Sequence, residues 1–148
     1  MSITEIVHFG KLNPQNSYAD IEVELILWDS SLHFIELKGF IDTGATSSAV
    51  HEKVFKGKID ISIYPDVKSG GANGHYMCKR IKNVAITLPQ LDKDWVTGLH
   101  HIDTTTMDNG YDIIIGDDIL RFCEFMYSGK NGNYTLKYFK ESVIFEKS

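Results

Sequence analysis

The stretch Phe40 to Val50 reads FIDTGATSSAV: two apolar residues run into Asp42, and Thr43, Gly44 and Ala45 follow at once. Burying an unpaired carboxylate is costly. Asp42 therefore either caps a surface turn or stands at the floor of a cleft, placed there for chemistry. Its neighbours suit the second role. Gly44 allows a tight turn and lets a bound chain approach a backbone that a Cβ would shield. Thr43 brings a hydroxyl that can tie the loop down, and Ala45 keeps the floor small. A carboxylate so placed can take a proton from water in a hydrolysis, but a second group must then protonate the carbonyl oxygen. Ser47 and Ser48 stand close by, yet no histidine at a recognisable spacing makes either a nucleophile. They read as hydroxyls that bond the turn.

A second patterned stretch is Tyr111 to Leu120, YDIIIGDDIL. Its apolar, β-branched run predicts a strand buried on both faces, ended by Gly116. Asp117 and Asp118 suit the N-terminus of a helix expected over 117–125, with Ile119, Leu120 and Phe122 facing inward. Between the two stretches lies KSGGANGHYMCKR, residues 68–80. Gly70, Gly71, Asn73 and Gly74 are turn formers between β-capable segments, so a hairpin is expected, with a mobile tip around Ala72.

The elements that must hold these segments are mostly strands. Ile21, Val23, Leu25 and Leu27 alternate with a period near two. A run from His33 to Ile41 carries Gly39, which reads as a bulge, and delivers Asp42 at its end. Ile59, Ile61 and Ile63 predict a further strand stopped by Pro65, and Val84, Ile86 and Leu88 another stopped by Pro89. After a hairpin signal at Gly129 and Gly132, Tyr134, Leu136 and Tyr138 alternate, and Val143 to Phe145 predicts one more strand. Trp28 and Trp95 read as core or pocket wall.

Taken in order, FIDTGAT at 40–46, the glycine-rich segment and YDIIIGDDIL at 111–120 resemble the retropepsin-like aspartic proteases, in their single-lobe retroviral, retrotransposon and bacterial forms. The resemblance covers residues 20–125. It implies an all-β, closed-barrel lobe with a flap hairpin and one short helix. It also implies that Asp42 is catalytic and that Thr43, Gly44 and Ala45 support its loop. Thr46 and the flap residues Gly70, Gly71, Ala72, Asn73 and Gly74 would meet the substrate, while Ile115, Gly116 and Leu120 would back the loop. One departure stands out. Retroviral members often carry Arg and then Asp or Asn after the glycine, the Arg pairing with an acid near the catalytic loop. Here Asp117 follows Gly116, and Thr46 stands in the acid's place, so that pair is missing.

The chain holds one Asp-Thr-Gly. The near copy, His101-Ile102-Asp103-Thr104-Thr105, lacks the glycine and the apolar pair before it, and reads as a loop. Two carboxyls held close cannot both ionise, so they share a proton and fill the acid and base roles together. The second carboxyl is therefore expected from Asp42 of a second copy, across a two-fold axis.

Composition narrows the alternatives. At 148 residues, 43% apolar and 24% charged, the chain suits one globular domain over 1–148, with its core over about 20–125 and a C-terminal β extension over 126–148. A net charge of −5 without a Lys/Arg run argues against nucleic acid as a partner. No apolar stretch approaches the ~20 residues of a membrane span, and MSITEIVHFGK lacks a signal-peptide core. Cys78 and Cys123 read as reduced thiols of a cytoplasmic protein. His100 and His101 would point to opposite faces of a strand, and no metal-ligand spacing occurs, so neither metal nor cofactor is expected. The expectation is an aspartic endopeptidase that cleaves extended polypeptides as a homodimer. The alternative is a latent or inactive module of the same fold that binds peptide or dimerises, its tail covering the cleft or the dimer face.

Overall fold

The computed structural model describes residues 2–71 and 74–142. Ala72 and Asn73, and the strand expected over Val143 to Phe145, lie outside the described residues.

The barrel begins with β2 (Ala19–Trp28), which follows a first strand, β1 (Ser2–Lys11). Ile21, Val23, Leu25 and Leu27 are all buried, as a period of two on a half-buried strand requires. β3 (Leu32–Ile41) pairs with β2 antiparallel, from Ala19↔Ile41 to Trp28↔Leu32. The register never slips, so Gly39 is not a bulge. A Cβ there would come within 2.9 Å of Ile113 Cγ2 and Val23 Cγ2, so the residue answers to close packing. Four more strands complete the wall: β4 (Ala49–His51), β6 (Gly74–Thr87), β7 (Val96–Thr105) and β8 (Ile113–Ile115), while β5 (Asp66–Gly71) pairs with the projecting half of β6. The order β2-β3-β8-β4-β7-β6 closes on itself because Glu24 to Leu27 of β2 also pair with Val84 to Thr87 of β6. Closure removes the unpaired edges that an open sheet would carry. Inside, Leu25, Leu27, Val50, Ile81, Ile86 and Ile115 are fully buried, each contributing about 1.5–3 kcal/mol relative to an exposed side chain.

One feature of this ring positions the chemistry. β8 lies between β3 and β4, parallel to the first and antiparallel to the second. The segment that joins β3 to β4, residues 42–48, must therefore cross the end of β8.

The rest of the chain is α1 (Asp117–Leu120), β9 (Glu124–Ser128) and β10 (Asn133–Ser142). These two strands form the hairpin expected at Gly129 and Gly132, and β10 also pairs with β1 over ten residues, from Ser2↔Ser142 to Lys11↔Asn133. The resulting sheet, β1-β10-β9, sends Tyr134, Leu136 and Tyr138 into the same apolar core as the barrel. The Tyr134 hydroxyl donates to the Asp20 carbonyl and is bonded to His8 Nε2. Burial first, and the Asp20 carboxylate second, push its phenol up to about 12, so it stays a neutral donor. Tyr134→Phe is expected to cost about 1–2 kcal/mol, read as a lowered denaturant midpoint with an unchanged slope.

Several sequence expectations need correction. Ile61–Ile63 forms a 3-10 turn instead of a strand, because Asp60 caps it by accepting from the Ser62 amide and hydroxyl. The helix ends at Leu120. Phe122, swung outward by the turn that follows, is 55% exposed. Residues 101–105 are not a loop but the end of β7, paired with β6 at 101–103 and with β4 at 103–105. Trp28, at the end of β2, is exposed, whereas Trp95 packs against Tyr138.

Candidate active site

Asp42 leaves the end of β3 with its backbone still held, its N–H donating to the Ile115 carbonyl at 2.9 Å. Its side chain is half-buried and Oδ1 accepts from the Gly44 amide at 3.0 Å. Ala45 turns the loop back: its N–H donates to the Asp42 carbonyl at 3.2 Å, and its own carbonyl accepts from the Asp117 amide at 2.8 Å. Further on, Ser48 is buried and accepts from the Gly116 amide at 2.9 Å. The Ser48 hydroxyl donates to Asp118 Oδ1 at 2.6 Å and its amide to both Asp118 oxygens at 3.0 Å. Residues 115–118 thus grip the loop at its start, middle and end. Thr43, Gly44 and Thr46 are exposed along its rim.

Ser48 does bond the turn, as its type suggests. By its position Asp118 reads only as a helix-terminus residue, yet its carboxylate clamps the loop. The available signal was a carboxylate two residues past Gly116, facing a hydroxyl-rich loop. Asp118→Ala is expected to leave the buried Ser48 donors without an acceptor and to cost about 1–3 kcal/mol. Asp118→Asn, which keeps one acceptor, should cost less; denaturant midpoints of the two variants test this order. Asp117, in contrast, pairs at 3.3 Å with Arg121 of its own helix, both side chains exposed, an interaction worth at most about 1 kcal/mol.

Beside Asp42 and Thr43 opens a cleft of about 570 Å³, walled by Tyr18, Phe40, Met107, Ile114, Phe125 and Tyr127. Tyr18 stacks on Phe40 with ring centroids 4.6 Å apart, and Tyr111 leans on the same ring at 4.7 Å. The loop that carries Tyr18 is pinned: Asn13 Nδ2 donates to Asp20 Oδ2 at 3.1 Å and Asn16 Nδ2 to the Tyr111 hydroxyl at 3.1 Å. The Tyr111 hydroxyl donates in turn to the Asp20 carboxylate. Burial, helped by that bond, raises the Tyr111 phenol. Such a wall suits a large apolar side chain next to a carboxylate. Sequence reasoning missed Tyr18, Phe40, Phe125 and Tyr127, because they come from segments far apart in the chain and meet only in the fold.

Residues 66–79 do form a hairpin, with β5 and β6 paired from Asp66↔Lys79 to Gly71↔Gly74. It carries Gly70, Gly71 and Gly74. Its base is anchored by Arg80, which grips the Asp103 carboxylate with two bonds of 2.9 and 3.0 Å, and by the Lys79 amide, which donates to Thr104 Oγ1. The near copy of the aspartate motif thus holds the hairpin. Among the described residues no group of three or more His, Cys, Asp or Glu side chains is placed to hold a metal ion. Cys78 and Cys123 are free, and burial pushes the Cys123 thiol up to about 11, far from a reactive thiolate. Among the described residues no helix is long and apolar enough to cross a membrane.

No protein-family model matches the chain, and no curated protein matches it. Among solved structures, the chain is similar to the crystal structure of a retropepsin-like aspartic protease from Rickettsia conorii. The likeness spans 93% of this chain and 95% of that one, at 17% identity and a TM-score of 0.65. The fold is retropepsin-like: a closed β-barrel with very little helix.

Proposed function

We propose that the chain is an aspartic endopeptidase, active as a homodimer in which Asp42 of each copy shares a proton and activates one water. The observation that carries this reading is the setting of Asp42: a half-buried carboxylate at a strand end, in a loop fastened by residues 115–118, beside an apolar cleft. Packing alone asks for none of this. Thr43, Gly44 and Ala45 shape the loop, Thr46 meets substrate at its rim, and Ile115, Gly116 and Leu120 back it. An extended polypeptide lies along the cleft as an added strand, covered by the hairpin, with Gly70, Gly71, Ala72, Asn73 and Gly74 at or near its tip. Closure of such a cover excludes water.

A second reading, a peptide-binding module of this fold without turnover, draws on one observation. β10 is tied to β1 within its own chain, so these terminal strands are not free to exchange with a partner. Sedimentation separates the two, since a stable monomer at micromolar concentration favours the module.

The direct test is cleavage of a mixture of unstructured polypeptides across about pH 4–7, the range in which a shared-proton pair operates, with Asp42→Asn run beside the parent. Cut products that vanish in the variant support the protease. No cleavage by folded protein at any pH favours the module, and cleavage that survives the substitution removes Asp42 from the mechanism.

A further inference from the structure

We propose that the first half of β3, residues 32–37, is a docking edge for another polypeptide. Its occupant is an extended segment that adds as an antiparallel strand, a lysine or arginine leading two apolar residues at alternate positions. The site lies on the outside of the barrel, apart from the cleft at Asp42, so it holds whether or not the chain cleaves.

Closure of the barrel does not reach all of β3. β8 pairs only with Gly39 to Ile41. Lys38 is held by Asp112: its amide donates to Asp112 Oδ2 and its carbonyl accepts from the Asp112 amide, both at 2.8 Å. From Leu37 back to Leu32, among the described residues, no strand lies against β3 on the side away from β2. In an antiparallel pair the backbone groups of alternate residues turn away from the partner strand. Lys38 fixes the phase. Phe34 and Glu36 share its parity, so their N–H and C=O groups face the open side. Such groups are a template for another strand, and neither proline nor lysine stands between Leu32 and Leu37 to deter it.

The outer face of the β2–β3 hairpin sets the chemistry of the occupant. Ile26 stands opposite Phe34, and Trp28 opposite Leu32. Phe34 and Leu32 are 59% and 58% exposed and Trp28 is 42% exposed, so an apolar patch flanks the open edge. The next pair on this face is Glu24 opposite Glu36. Like charges directly across a ladder are destabilising, yet among the described residues no cation pairs with either. Lys38, next along the face, lies over the Tyr111 ring instead, 5.2 Å from its centroid. A groove of about 610 Å³ runs past Glu22, Glu24 and Glu36 to Pro89 and Gln90, with room for a long basic side chain. A strand added to this edge presents every second residue to this face: apolar across from Leu32 and Phe34, basic across from Glu36. Its main chain supplies affinity and those side chains supply specificity. The antiparallel direction is the more stable per residue.

The probe is the capped, fluorescein-labelled peptide SRTVTVS, titrated into the Asp42→Asn chain so that no cleavage intervenes. Saturable binding below about 1 mM is expected. In hydrogen exchange the amides of Phe34 and Glu36 should gain protection when the peptide is added, while those of Ile35 and Leu37, which face β2, should not change. In the same background Phe34→Thr should weaken binding about fivefold and Glu36→Lys about tenfold, with the fold retained because both side chains are exposed. Glu36→Lys should also bind SETVTVS more tightly than SRTVTVS, reversing the order. Saturable binding that protects neither amide and ignores both substitutions places the peptide elsewhere and overturns the proposal. So does the absence of binding up to that concentration. Protection of Phe34 and Glu36 that grows with protein concentration, without peptide, overturns it too, because a second copy then holds the edge. Cleavage by the parent chain is read separately and is touched by none of these outcomes.

Discussion

Asp42→Asn is expected to lower cleavage by as much as about 10⁴-fold, the upper range of what a positioned acid–base group supplies. The substitution is close to isosteric and keeps an oxygen to accept from the Gly44 amide, now 3.0 Å from Oδ1. The loop has no reason to move, and stability should stay within about 0.5 kcal/mol of the parent. What disappears is the proton. In the proposed dimer each copy supplies one carboxyl, so a mixed dimer with a single Asn would also lose the shared pair and should be as inactive as the double variant. Single-turnover cleavage of one peptide, with a melting curve on the same sample, checks both halves. Residual activity within tenfold of the parent would place the acid–base work elsewhere.

Gly116→Ala should damage stability and activity together. A Cβ at Gly116 would lie 2.7 Å from the Ser47 carbonyl carbon, 2.8 Å from its oxygen and 2.9 Å from the Ala45 oxygen. Every obstructing atom is backbone, so no side-chain rotation relieves the clash. The residue is also buried, and its amide anchors Ser48. Either β8 or the loop must yield, at about 1–3 kcal/mol. A displacement near 1 Å at the reacting group costs a further factor of about 10² in turnover. Denaturant unfolding and kcat/KM, measured on one preparation, separate the two losses. Parent-like values in both would mean that residues 45–47 do not press on Gly116.

Much of this was legible in the residues. Alternation shows β2 and β10 because each has one buried and one wet face, and the apolar run at 113–115 shows β8 because strands flank it on both sides. β9 has no buried face to mark it, and Glu124 and Phe125, expected in the helix, belong to that strand. Asp42, Gly116 and the glycine-rich hairpin announce themselves by residue type. β1 does not. Ile3 and Phe9 are 63% and 78% exposed, so no buried face marks its period, and its partner lies at the other end of the chain. The Ile59 to Ile63 alternation misleads because a local cap at Asp60 outweighs a weak pattern. The Asp118 clamp and the aromatic wall of the cleft depend on segments far apart in sequence, which no local pattern reports.

The placement of β8 between β3 and β4 has a consequence for how the molecule comes into being. Residues 42–48 cannot take their final path until 113–118 have arrived to be crossed, so the loop closes late, after the long intervening chain has folded back. β1 waits longer still, for β10. Contacts between such distant segments are slow to form, and a growing chain carries Asp42 for most of its synthesis with nothing built around it. The carboxylate is made early and the site assembled last.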